Sequence, residues 1–118
     1  MRRNHKDLRV WQSAMLLVED IYRLTSTFPR EEQFGLISQM RRAAISVPSN
    51  IAEGSARNGT KELLYFLGVA TGSLAELDTQ LDLAIRLKYC TENPSIQSRL
   101  DEVSALTLAL MKSLKDKA

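Results

Sequence analysis

A chain of 118 residues, 44% hydrophobic and 25% charged, is long enough to bury one core and too apolar to be intrinsically disordered. Its net charge of +2 is only mildly basic. The single cysteine, Cys90, excludes an internal disulfide. No run approaches the ~18–20 apolar residues of a membrane span, and the charged N-terminus is not followed by the ~7–15 apolar residues of a signal peptide.

The reading is one soluble cytoplasmic domain, 1–118, with residues 1–7 and 113–118 expected to be flexible. Arg2, Arg3, Lys6 and Arg9 cluster at the start, and Lys112, Lys115 and Lys117 gather at the end.

The first predicted helix runs from about Leu8 to Thr25. Val10, Ala14, Leu17, Ile21 and Leu24 recur every three or four residues, and Trp11 and Val18 widen that stripe. Pro29 ends the unit, because the residue before a proline disfavours helix. The second helix is predicted over Glu32 to Ser55. Leu36, Met40, Ala43, Val47 and Ile51 mark its core face. Pro48 lies inside it and is expected to kink it, at a cost of ~3 kcal/mol or more in an unsupported helix.

Gly54 and Gly59 bracket a short polar connection. The third helix is predicted over Thr60 to Lys88, with Thr60 as N-cap and Glu62 in the first turn. Its core stripe is Leu63, Phe66 or Leu67, Ala70, Leu74, Leu77, Leu81 and Ala84. Asn93 is the predicted N-cap of the fourth helix and Pro94 its first residue. Ile96, Leu100, Val103, Thr107, Leu110 and Leu114 form its stripe. No strand pattern is visible. Short connections make consecutive helices antiparallel neighbours, so the predicted fold is an all-α, up-down-up-down four-helix bundle.

Beside the core face of the second helix runs a polar stripe, Gln39, Arg42, Ser46, Asn50 and Glu53. If buried it needs partners, and Ser73 and Glu76 on the third helix are the candidates. Arg42 is expected to pair with Glu76 or Glu53 in a structural network that fixes helix register. Catalysis has no support: the stripe lacks a nucleophile, a histidine and a metal-ligand set. His5 is the only histidine, and no Glu-x-x-His bundle motif or phosphate-binding loop is present. No cofactor or metal is expected.

Gly68 and Gly72 lie four apart on the third helix, with Ala75 extending the small face. Either they pack against another helix of the bundle or they form a subunit contact. Candidate phosphate contacts are Arg2, Arg3, Lys6, Arg9, Arg41, Arg57 and Lys61. Trp11 and Tyr65 are expected in the core or an interface. The chain holds no base-reading motif, so charge-driven, sequence-tolerant binding is the most these residues support.

The segment FPREEQFGLISQMRRAAISVPSNIAEG, Phe28 to Gly54, resembles the central signature of the bacterial four-helix bundle proteins named after intervening sequences in 23S rRNA genes. His5 to Thr25 resembles that family's first helix, and Lys61 to Tyr89 its third. The resemblance implies a non-enzymatic bundle that self-associates. Related accessory proteins of diversity-generating retroelements form pentameric barrels with basic surfaces. By that resemblance the expected partners are other copies of the chain, in a homopentamer, and structured RNA or an RNA-bound protein, with no membrane. Leu64, Gly68, Thr71 and Ala75 lie off the main stripe of the third helix and are the candidate subunit contacts. The competing expectation is a protein–protein adaptor ring that touches no nucleic acid.

Overall fold

The structure is a computed structural model and describes residues 4–117. Four helices account for most of it: α1 (Arg9–Thr25), α2 (Leu36–Ala56), α3 (Thr60–Arg86) and α4 (Pro94–Lys117). They pack into a rod of 46 × 23 × 20 Å. Bonds that cross the helices run in opposite numerical order along each pair. Asp20 and Ser13 of α1 meet Arg99 and Glu102 of α4. Asp78 and Thr71 of α3 meet Gln97 and Met111. Such pairings make α4 run antiparallel to both α1 and α3.

The core follows the predicted stripes. Val10, Ala14, Leu17 and Ile21 of α1 are buried, as are Met40, Ala43, Val47 and Ile51 of α2. On α3 the stripe takes Leu67 rather than Phe66, which stays half-buried. Ile96, Leu100, Val103 and Thr107 close the core from α4.

Helix ends explain where sequence reading and structure part. The last carbonyls of α1 are satisfied by hydroxyls: Thr25 Oγ1 donates to Ile21 O at 2.7 Å, Ser26 Oγ to Arg23 O at 2.7 Å and Thr27 Oγ1 to Leu24 O at 2.7 Å. The second helix starts at Leu36, not Glu32. Arg30–Glu32 form a 3-10 turn, and the Glu32 carboxylate turns back to accept the Leu36 N–H at 3.0 Å. Pro48 is buried within α2, which continues through it.

Gly59, with φ of 111°, occupies the N-cap position of α3 that Thr60 was expected to fill; Thr60 is the first helical residue. At the far end of α3, Lys88 adopts φ of 65°. The N–H groups of Tyr89 and Lys88 bond to Ala84 O at 2.9 Å and Ile85 O at 3.0 Å. This is the Schellman arrangement, with lysine in the left-handed position usually given to glycine. Asn93 caps α4 as expected, its Oδ1 accepting the Ile96 N–H at 3.0 Å.

Of the segments expected to be flexible, His5–Asp7 form a 3-10 turn capped by Asn4. The His5 ring packs edge-on against Trp11 at 5.2 Å. α4 extends to Lys117. No helix among the described residues is long and apolar enough to cross a membrane.

Candidate functional site

The even number of helices returns α4 to the end of the rod where α1 begins. Leu8, Leu63 and Leu110 meet there with Gly54, Ser55, Gly59 and Thr60, around an apolar cleft of about 270 Å³. Basic residues flank this cleft in sequence on every segment: Lys6 and Arg9 beside Leu8, Arg57 and Lys61 beside Gly59 and Thr60, Lys112 and Lys115 after Leu110. All are exposed. Among the described residues, none of Lys6, Lys61, Lys112, Lys115 and Lys117 forms an ion pair. Asp7 and Asp116 share this end and moderate its charge.

The two arginines at this end are partly committed. Arg57 pairs with Glu53 at 2.9 Å and approaches Glu62 at 4.0 Å, and its guanidinium lies 5.2 Å from the Phe66 ring centre. Arg9 approaches Glu102 at 3.7 Å, with three quarters of its side chain exposed. Arg2 and Arg3 lie outside the described residues.

Arg41 belongs elsewhere. Its Nε donates to Thr25 Oγ1 at 2.9 Å and its Nη2 to Tyr22 O at 3.3 Å, and the guanidinium stacks 4.3 Å from the Tyr22 ring centre. It therefore closes the C-terminal end of α1. Lys112 and Lys115 were seen as a terminal charge cluster in the sequence but not joined to the N-terminal one. The up-down-up-down topology was the signal that joins them.

A groove of about 660 Å³ lies between α3 and α4 and is lined by Asp78, Asp82 and Glu92 with Asn93 and Gln97. Its charge disfavours a polyanion. The basic end and the acidic groove are thus distinct surfaces.

The polar stripe of α2 meets α3 as expected, but through hydroxyl and amide groups. Ser46 Oγ and Ser73 Oγ share a hydrogen bond of 2.8 Å. Asn50 Nδ2 donates to Ser46 O at 2.7 Å and to Ser46 Oγ at 2.9 Å. The expected Arg42 pair is absent among the described residues. Glu53 is taken by Arg57, and Glu76 accepts only from Gln80 Nε2, at 3.3 Å. Arg42, Glu76 and Gln39 are exposed. Burial stops at the serines, so the guanidinium is hydrated and needs no carboxylate. Gln80 is 6% exposed, and its Oε1 is buried without a hydrogen-bond partner.

The glycines of α3 do not serve packing inside the bundle. A Cβ added at Gly68 or Gly72 would meet nothing within 4 Å. Each still costs ~1 kcal/mol against alanine in a helix. Of the candidate subunit contacts, Gly68 and Ala75 are exposed, whereas Leu64 and Thr71 are half-buried, and Thr71 faces Met111 on α4.

Partial burial pushes the Cys90 thiol above its ordinary value. The Leu36 N–H, then the Tyr89 hydroxyl, hold Glu32 below its ordinary value. Among the described residues, no group of three His, Cys, Asp or Glu side chains could hold a metal ion.

A search of the curated proteins finds no match to the chain. A family model described as the 23S rRNA-intervening sequence protein matches residues 6–109, which span all four helices. The chain belongs to the 23S rRNA-intervening sequence protein family.

Proposed function

We propose that this protein is a non-enzymatic, self-associating four-helix bundle of the bacterial cytoplasm that binds structured RNA through its basic end. The observation that carries the reading is the gathering of Lys6, Lys61, Lys112 and Lys115, from three separate segments and without ion pairs, at one end of the rod. Ammonium groups left free of carboxylates are available to phosphate oxygens. The family's link to 23S rRNA genes supports RNA over other polyanions. One chain offers few cations. A ring of copies, a pentamer by the family resemblance, repeats the patch, and linked weak contacts gain from effective concentration.

The second reading is a protein–protein adaptor without nucleic acid contact. It is favoured by Phe34, which is 91% exposed in the turn before α2. A filter-binding titration of a structured RNA across salt separates the two. RNA binding predicts affinity that falls with salt, at a logarithmic slope of about −0.7 to −0.9 per phosphate neutralised. Replacing Lys6, Lys61, Lys112 and Lys115 by Gln lowers both affinity and slope, with an unchanged circular dichroism melt. No retention by the wild type at low salt refutes RNA binding and leaves the adaptor.

A further inference from the structure

The cleft at the basic end is apolar, although lysines stand close to it in the chain on three segments. Leu8 comes from the N-cap of α1, Leu63 from α3 and Leu110 from α4. Each packs against the core and is only half-buried. Gly54, Ser55 and Gly59 also line the cleft, which measures about 270 Å³. A Cβ at Gly59 would meet nothing within 4 Å. Lys6, Lys61 and Lys112 stand two positions from Leu8, Leu63 and Leu110 in turn. Two residues along a helix turn by about 200°, so Lys61 and Lys112 point outward and leave the lining apolar. Among the described residues none of the three lysines enters an ion pair. Positive charge is therefore spread around an apolar centre, not placed inside it.

We propose that this cleft takes an unpaired nucleobase, so that RNA is recognised at a single-stranded loop and not along a duplex. A nucleotide within a strand has the matching distribution of charge. Its base has apolar faces, and the phosphates on either side lie outside the cleft, where the outward lysines reach them. A base inside a duplex is paired and stacked, whereas loop bases splay out and can enter a pocket. The Thr60 hydroxyl, also in the lining, can donate to or accept from the polar edge of the base. A fatty acid fits less well. Its single charge sits at one end, and cations spread over three segments would go unused.

The inference rests on the RNA binding proposed above, and the test separates the two. The full-length wild type is titrated at low salt with three RNAs of equal phosphate number: a hairpin, the same hairpin with an abasic loop, and a blunt duplex. The hairpin is expected to bind about tenfold tighter than the duplex, and removing the loop bases to abolish that advantage while the salt slope stays the same. The methyl resonances of Leu8, Leu63 and Leu110 locate the base. The hairpin shifts all three by ring current, the abasic hairpin does not, and Leu83, at the other end of α3, stays in place. If none of the RNAs binds, the RNA reading and this inference fall together. If all three bind equally, or the loop advantage comes without methyl shifts, RNA binding stands and the cleft proposal is overturned. Two further outcomes also overturn it. Methyl shifts induced by decanoate and not by the hairpin assign the cleft to an amphiphilic anion. Shifts that grow with protein concentration alone assign it to a second copy.

Discussion

The Tyr89 hydroxyl donates a hydrogen bond of 2.7 Å to Glu32, 57 positions earlier in the chain. The other carboxylate oxygen of Glu32 accepts the Leu36 N–H. One side chain thus caps α2 and ties its first turn to the segment after α3. The Phe28 and Tyr89 rings pack at 5.7 Å alongside.

Glu32 is therefore expected to make stability depend on acid. Its folded pKa lies below the ordinary value of 4.5, so its contribution is present above that pH and is lost as pH falls through the folded value. Glu32→Gln should lower the melting temperature at neutral pH. The gap from wild type should narrow as pH falls below 4.5 and through the folded value. Melts recorded from pH 7 into acid check this; a gap that does not narrow contradicts the capping role. Tyr89, raised mainly by its bond to Glu32, acts in the opposite sense, favouring the fold below pH 10.0 and losing that effect as pH climbs past it.

Lys88→Gly should stabilise the protein. Lys88 holds φ of 65° in a complete Schellman cap, where a side chain strains the backbone and glycine does not. The expected gain is ~1 kcal/mol, read as a higher denaturant midpoint at constant slope. An unchanged or lower midpoint would assign the lysine side chain a stabilising contact.

Gly54 and Gly68 should respond to alanine with opposite signs. At Gly54 an added Cβ would lie 2.9 Å from Phe66 Cβ and 3.3 Å from Leu63 Cα, so α2 and α3 must part. A loss of ~1–3 kcal/mol is expected from such overpacking. At Gly68 the space is open, and alanine should raise helix stability by ~0.5–1 kcal/mol. The comparison belongs at a protein concentration where both variants are monomeric.

Much of this was legible in the sequence where the signal was local. Asn93-Pro94 marks the start of α4 by adjacent residues alone, and the core stripes follow from spacing. The start of α2 was misplaced because the group that caps it, Glu32, sits before the helix and is braced by a tyrosine from a distant loop. Gly54 reads from sequence as a helix end, yet it lies within α2 as a point of close approach. Arg41 and Arg42 are adjacent and look alike. Only the fold aims the first at the end of α1 and leaves the second in solvent. The glycines of α3 left two readings open for the same reason, since open space beside a residue leaves no mark on its neighbours in the chain.

The same architecture divides the chain in time. α2 and α3 share the most extensive interface of any helix pair and are joined by a short turn at Gly59. Closing that hairpin costs little loop entropy. The seam between α1 and α4 closes only when nearly the whole chain is gathered, as in the Ser13–Glu102 bond that spans 89 positions. Folding is therefore expected to pass through a transition state structured around Gly54, Ser46 and Ser73, with the α1–α4 seam formed afterwards. Destabilising changes in the hairpin would slow refolding, and changes at Asp20 or Arg99 would chiefly speed unfolding. Stopped-flow chevrons on the two classes of variant would reveal the order, and equal slowing of refolding by both would refute it.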